Sequence, residues 1–442
     1  MTRDGWGQRL DVARWLGPGL VMAATAIGAS HLVLAPTAGA GFGYALLWLV
    51  PLTHLFKYPA FDFGPRYAVA TGTSLLDGYA RVPGPRGWAL WVFLAGTVVQ
   101  GFTVLAGVLG VSAVVLHAAV PALPVPAWAA ALGALTVALL WTGRFDGLSA
   151  LSKAMLIGLA FMTAVAFGAT PPPAEAWKSL VTPALPEGSL VLAAAILGWM
   201  PTGLDVSVWH SLWALERRDA WAERAEIQAD DDVGRKRVFG IARLDLGVGY
   251  GLSFVLATMF LILGVQVLRP TGTIPQGGDV AVTIARLYTD VLGDWALIPF
   301  LTAAFFGMWS STYGVMDGFP RAFSGTVHRL RTLSGPDRPA DSPAVGADRA
   351  DGAGPVYWAF LLVCLLLALV EIVWLRDPVL LVTVAAVASF LLAPLTYALN
   401  HWCVTRYIPD PGLRPGPTLR WWSLIGILVV TAATTLFLVV QL

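Results

Sequence analysis

The residues of this sequence that can do chemistry are a few polar and ionisable side chains inside long apolar segments. Two short polar interruptions contain most of them, Gly28-Ala29-Ser30-His31 and Met200-Pro201-Thr202-Gly203. Asp205 follows the second interruption by two residues. Imidazole, thioether, hydroxyl and carboxylate groups bind metal ions, and imidazoles and carboxylates also carry protons. The sequence therefore predicts ion binding or proton transfer at these positions, with Asp205 as an auxiliary ligand, a proton carrier or a structural partner.

A second group of ionisable residues lies in one apolar segment, at His54, Lys57, Asp62 and Arg66. Asp62 and Arg66 are four residues apart, so they can pair on one helix face. Lys57 lies deeper and needs a counter-ion or a neutral state, and His54 can change its charge near neutral pH. Two interpretations stay open: a proton pathway from His31 or Asp205 through this group, or a structural salt-bridge network.

The elements that position these residues are predicted to be membrane-spanning helices. The chain has 442 residues, of which 57% are hydrophobic and 12% charged, and its mean hydropathy is +0.70. A soluble domain usually has about 25% charged residues, and one helical crossing needs about 20 apolar residues. Eleven apolar runs are long enough to cross, at 15–39, 42–70, 88–118, 126–143, 148–169, 189–215, 241–267, 295–317, 355–375, 378–399 and 419–441. We predict an all-α polytopic membrane protein with 11 transmembrane helices.

Several function classes are excluded by composition and motifs. The net charge of +1 provides no basic field for nucleic acid. The sequence has no nucleotide-binding or hydrolase signature, so we expect neither an enzyme nor a cofactor, and energy for transport should come from an ion gradient.

The distribution of Lys and Arg predicts the orientation in the cell membrane. Most of them fall in segments that are cytoplasmic if the N-terminus, 1–14, is cytoplasmic, which follows the positive-inside bias. The C-terminus is then outside. Charged stretches at 216–240 and 334–355 are interpreted as solvated cytoplasmic linkers, the second flexible. Apolar residues at helical spacing in 277–294 predict a short amphipathic helix on the outer face.

The two polar interruptions predict broken helices in spans one and six. Pro201 has no N–H and Gly203 tolerates any φ, so span six should break there. Paired interruptions in two halves of a chain are typical of secondary transporters with an inverted repeat. The halves would be 15–169 and 189–399, followed by an eleventh helix at 419–441. Simple kinks are the alternative.

Three stretches resemble the natural resistance-associated macrophage protein (Nramp) family of proton-coupled divalent-metal transporters. GPGLVMAATAIGASH with YAVATGTSLLDGY resembles the first two helices of that family, MPTGLDV resembles its Met-Pro-His segment, and SSTYGVMDGFPRAF its eighth helix. The resemblance runs from about residue 15 to 400. It implies a leucine-transporter-like fold, a 5+5 inverted repeat with broken helices 1 and 6.

The same resemblance implies a substrate site, and this sequence departs from it. Where the family has Asp-Pro-Gly-Asn, an ungapped match places Gly28, Ala29, Ser30 and His31. Met200 is retained, Thr202 replaces the family histidine, and the implied carbonyl ligand is Leu197. Without a carboxylate at the matched positions, His31 and Met200 favour Cu(I) or another transition metal over Mg²⁺ or Ca²⁺. The N-terminal ends of half-helices could equally hold an anionic solute.

From these observations we predict a secondary active transporter that imports a metal cation by alternating access, in symport with protons. Its site residues would be Gly28, Ser30, His31, Leu197, Met200 and Thr202. Two alternatives stay open: an ion-coupled carrier of an organic or anionic solute on the same fold, and a non-transporting membrane receptor or scaffold. The expected partners are the metal ion or small solute, protons and the lipid bilayer.

Overall fold

The computed structural model describes residues 27–143, 146–224, 232–334 and 354–441. Within these ranges the chain is mostly helical and forms no β-strand, which confirms the predicted all-α class. The predicted N-terminal segment 1–14, the first part of span one and most of the predicted loop 334–355 lie outside the described residues.

The described residues from 27 to Lys178 contain seven α-helices. A π-helical turn, Ser30–Leu34, leads into α1, and a 3₁₀ turn, Gly43–Leu46, follows it. The helices are α1 (Ala35–Phe42), α2 (Leu49–Thr71), α3 (Leu75–Ala80), α4 (Trp88–Ala119), α5 (Val125–Thr142), α6 (Asp146–Ala169) and α7 (Ala174–Lys178). Between Ser30–Leu46 and α2 the chain bends by 100°.

The remaining part of the described chain contains eight helices. They are α8 (Leu190–Trp199), α9 (Val206–Arg224), α10 (Asp232–Leu263), α11 (Val280–Leu292), α12 (Leu297–Ser334), α13 (Pro355–Leu375), α14 (Pro378–Arg406) and α15 (Pro417–Gln441). A π-helical turn, Gly264–Leu268, continues α10. Short 3₁₀ turns at Arg269–Thr271, Gly277–Asp279 and Asp294–Ala296 flank α11.

Seven described helices are long and apolar enough to cross a membrane, or eight if the bent pair before Thr71 counts as one span. This number supports an integral membrane protein. The count of eleven spans and the two-fold repeat stay predictions.

Two connections differ in how well the sequence predicted them. The stretch 216–240 was predicted as a linker, but α9 continues to Arg224 and α10 begins at Asp232. The two ends of the stretch are therefore helical, and residues 225–231 lie outside the described residues. The predicted helix within 277–294 is confirmed as α11, whose apolar residues are buried against its neighbours.

The helices around the two predicted breaks pack closely. The helix α4 packs against α12 and α14, α2 packs against α9 and α10, and α8 packs against α14. Small residues allow the backbones to approach at several of these contacts. A Cβ atom on Gly39 would lie 2.1 Å from the carbonyl oxygen of Leu261, and one on Gly264 would lie 2.4 Å from that of Pro36. The segment after the first break is therefore held directly against α10.

We predict that Gly39→Val destabilises the protein, because the clash is with backbone atoms that cannot rotate away. Overpacking of this kind lowers the free energy of unfolding by about 1–3 kcal/mol or more. The matched control is Gly41→Val in the same helix, since a Cβ there meets nothing within 4 Å. Thermal unfolding of the purified proteins in detergent should separate the two variants, and equal melting temperatures would contradict the packing.

Candidate functional site

The second polar interruption is a break in the helix, as predicted. The helix α8 ends at Trp199 and α9 begins at Val206, and Met200 has an extended conformation with φ −96° and ψ 130°. In a continuous helix the carbonyl of residue 197 would accept a hydrogen bond from the amide of residue 201, but Pro201 has no N–H. The last carbonyl groups of α8 therefore need other partners.

The two interruptions face one cavity. Its empty space measures about 420 Å³, a volume that includes space open to solvent. Its polar lining comes from the first interruption, from the second, and from α12 and α14: Gly28, Ala29, Ser30, Thr202, Gly203, Asp205, Ser311 and Ser389. Its apolar lining is Val104, Val108, Trp199 and Val315. The structure thus places Gly28, Ser30, Thr202 and Asp205 in one lining. The sequence left open whether Asp205 faces the other three residues.

Asp205 provides the carboxylate that the matched positions lack. It lies at the N-terminal end of α9, where the helix dipole favours negative charge, and its side chain is 8% exposed. Gly203 makes room for it, because a Cβ at that residue would lie 2.4 Å from Oδ1 of Asp205. Among the described residues no side chain donates a hydrogen bond to this carboxylate. The carboxyl group of Asp205 is part of the cavity lining.

A hydrogen-bonded group fixes part of the cavity wall. The indole Nε1 of Trp199 donates to Oγ of Ser389 at 2.9 Å, and that hydroxyl donates to Oε1 of Gln100 at 2.6 Å. Trp199 is thereby held at the end of α8, with its ring against the cavity.

Lys57 supplies the missing partners at the end of α8. It is 1% exposed, and it projects from α2 into the second break. Its Nζ donates to four backbone carbonyl oxygens, those of Leu197 at 3.1 Å, Gly198 at 2.9 Å, Met200 at 2.8 Å and Thr202 at 2.8 Å. The carbonyl of Leu197, which the resemblance implies as a substrate ligand, is therefore engaged by an ammonium group.

His31 and His54 are joined through one serine of α10. Nε2 of His31 lies 3.0 Å from the carbonyl oxygen and 2.9 Å from Oγ of Ser253, and Nε2 of His54 lies 3.0 Å from the same Oγ. Nδ1 of His54 donates to the carbonyl of Val50 at 2.8 Å, so its Nε2 accepts from the serine hydroxyl. Nδ1 of His31 lies 2.9 Å from Oγ of Ser30. His31 is fully buried and does not line the cavity, but Ser30 connects it to the cavity.

Asp62 and Arg66 form the pair that their spacing predicts, and they lie outside the cavity lining. Nε of Arg66 is 2.6 Å from Oδ2 of Asp62, and its Nη1 donates to the carbonyl of Leu413 at 2.7 Å. Arg243 approaches the same carboxylate at 3.7 Å. These contacts join α2 to α10 and to the segment before α15.

Several residues of the site were not predicted, and one predicted residue contributes only its backbone. The sequence predicted Met200 as a thioether ligand, but its side chain does not line the cavity, and its carbonyl accepts from Lys57. Ser253 and Ser389 were missed because single serines in apolar helices carry no distinguishing pattern. No group of three or more His, Cys, Asp or Glu side chains that could hold a metal ion occurs among the described residues.

Comparisons with known proteins agree with the fold. A family model described as natural resistance-associated macrophage protein-like matches residues 19–440. The chain belongs to the Nramp family. An uncharacterized protein of Pasteurella multocida, PM0681, is 28% identical over 98% of this chain and 95% of its own. The divalent metal cation transporter MntH of Chromohalobacter salexigens is 31% identical over 65% of this chain and 63% of its own.

A solved structure extends the likeness to the architecture. The manganese transporter of Eremococcus coleocola superimposes with a TM-score of 0.68 at 15% identity, over 99% of this chain and 88% of that one. At this identity the likeness shows the fold alone, which is that of leucine-transporter-like transporters. The Nramp family consists of membrane transporters, not enzymes.

We predict that a cysteine at residue 202 reacts with a small, charged thiol reagent, because Thr202 lines the open cavity. The control is Thr312→Cys, since Thr312 is fully buried and bonds to Ser112 at 3.0 Å. The native Cys364 and Cys403 are buried, so the background should be low. Mass spectrometry of the labelled protein in detergent gives the extent of reaction. Equal labelling at both positions would contradict the placement of Thr202 in an open cavity.

Proposed function

We propose that this Nramp-family protein is a secondary active transporter that imports a metal cation, in symport with protons, by alternating access around the cavity. The observation that carries the proposal is that both polar interruptions line one cavity, and that Asp205 provides the carboxylate among the described lining residues. A broken helix is tolerated at membrane depth where its freed backbone groups line a cavity or find protein partners. The metal-transporting relatives support the choice of substrate.

The donor atoms around the cavity favour a hard cation. The sequence predicted a soft site built from His31 and Met200, but the side chains that line the cavity offer the carboxylate of Asp205 and hydroxyls. Oxygen donors suit Mn²⁺ and Mg²⁺ better than Cu(I). One carboxylate with hydroxyls is few ligands for a bare ion, so the cation would keep part of its water shell, as Mg²⁺ commonly does in proteins. We propose Mn²⁺ as the first ion to test and Mg²⁺ as the second.

We predict that Asp205→Asn reduces Mn²⁺ uptake into proteoliposomes about tenfold or more, because the substitution removes the negative charge that faces the cation. The control is Asp290→Asn on α11, which removes a half-exposed carboxylate that pairs with Arg286 at 3.0 Å. Uptake by Asp205→Asn at the wild-type rate would contradict the site.

Proton coupling would use the chain of hydrogen bonds through the two histidines. The chain begins at the cavity with Ser30 and passes through His31, Ser253 and His54 to the carbonyl of Val50 near the start of α2. Each link is 2.8–3.0 Å, within reach for proton transfer. With the N-terminus in the cytoplasm, as we propose, the start of α2 is on the outer side. The side-chain part of the chain would then run from the substrate cavity toward the outer side as far as His54, whose Nδ1 donates to the buried carbonyl of Val50.

We predict that Ser253→Ala uncouples transport, because no hydroxyl then joins the two imidazoles. Metal-dependent acidification of proteoliposomes should fall at least about tenfold relative to metal uptake. The matched control is Ser423→Ala, which removes a different serine–histidine hydrogen bond, to Nδ1 of His401 at 2.5 Å. An unchanged ratio of protons to metal ions in Ser253→Ala would assign the proton pathway elsewhere.

A second candidate is an ion-coupled carrier of a small organic solute. The observation that favours it is the apolar part of the lining, three valines and the ring of Trp199, which a hydrated metal ion does not need. Asp205 could then pair with a cationic group of the solute. Uptake of amino acids and amines, measured beside Mn²⁺ and Mg²⁺ on the same proteoliposomes, distinguishes the two functions.

A further inference from the structure

The contact between Lys57 and the second break has the form of an occupied cation site. Four backbone carbonyl oxygens surround Nζ at 2.8–3.1 Å, and all four belong to the interruption between α8 and α9 or to the last turn before it. An ammonium group has three N–H donors, so one of them is shared between two carbonyls. Selectivity filters use the same kind of carbonyl cluster to replace the water shell of K⁺.

The electrostatics of the break favour a positive charge at this point. The carbonyl groups at the C-terminal end of α8 carry the negative end of the helix dipole. Asp205 follows the break directly, at the start of α9, with its carboxyl group in the cavity lining. A charge as deeply buried as that of Lys57 costs several kcal/mol in lost hydration, and only good geometry and full hydrogen bonding offset the cost. Both conditions are met by the four carbonyls.

We propose that the ammonium group of Lys57 is a tethered monovalent cation that fills a cation site formed by the carbonyls of Leu197, Gly198, Met200 and Thr202. Lys57 satisfies the free carbonyl groups at the end of α8, as a dissociable ion would. No alkali cation is therefore needed at this site. It also withholds the carbonyl of Leu197 from the substrate. On the proposed transport function, on which this last consequence rests, the substrate cation is then bound through Asp205 and the hydroxyls.

The test is chemical rescue of Lys57→Ala. The substitution removes three carbons and the nitrogen, which is the size of n-propylammonium, and leaves the carbonyl cluster empty. We expect the apparent melting temperature of the purified variant to fall by about 5 °C or more. Millimolar n-propylammonium should restore at least half of the loss, and ammonium or K⁺ part of it. Lys178→Ala, which removes an exposed lysine of α7, should show neither the loss nor the rescue.

Further probes separate the effect of the positive charge on stability from the effect of the side-chain volume. The neutral n-propanol and the tetramethylammonium ion, which has no N–H donor, should not rescue Lys57→Ala. Lys57→Met fills the volume without a charge, so we expect it to lose stability and not to respond to n-propylammonium. Rescue by n-propanol equal to that by n-propylammonium, or a Lys57→Met variant as stable as the wild type, would overturn the proposal. So would a Lys57→Ala variant that shows no loss, or that n-propylammonium does not stabilise.

The readout is stability, so it does not depend on the identity of the substrate. If the wild-type protein takes up no metal while n-propylammonium rescues Lys57→Ala, the proposed metal transport is wrong and the proposal for Lys57 is supported. If metal uptake is observed and no cation rescues Lys57→Ala, the proposal for Lys57 is wrong and the proposed metal transport is unaffected.

Discussion

The structure around the cavity depends on one interaction, the ammonium group of Lys57 with four carbonyl oxygens at the second break. Pro201 removes the amide that would have paired with Leu197, and the chain leaves α8 with its last carbonyls unsatisfied. In a membrane such groups must find partners inside the protein. Lys57 satisfies them from α2, and so it joins the helix that follows the first interruption to the helix that contains the second.

The remaining features of the site follow from that contact. Because α8 stops at Trp199, the chain can turn before α9 and present Asp205 at the N-terminal end of the new helix. The carboxylate faces the cavity, whereas the positive charge of Lys57 contacts the backbone carbonyl oxygens of the break. One positive and one negative group are thus buried close together, which lowers the cost of burying either of them.

The sequence predicted the class of fold and the second break well, because both depend on local physics: long apolar runs, and a Pro-Thr-Gly sequence within one of them. It predicted the Asp62–Arg66 pair from spacing alone. It could not predict that Lys57 reaches the carbonyls of residues 197–202, that Asp205 lines the cavity, or that Ser253 joins His31 to His54. These contacts join residues about 140 to 220 positions apart in the chain, and no local pattern encodes them. The Nramp resemblance supplied the location of the site, but its chemistry here depends on residues outside the matched motifs.

The central claim is that a hard cation binds in the cavity at Asp205. Crystals of the protein soaked in Mn²⁺ and measured near the manganese absorption edge test it most directly, since anomalous scattering locates the ion independently of activity. We expect an anomalous peak in the cavity, from an ion bound to the carboxylate of Asp205 directly or through one water, and at a distance from the carbonyl cluster that Lys57 occupies. A peak at that carbonyl cluster with Lys57 displaced, or no peak in the cavity while the protein transports Mn²⁺, would contradict it.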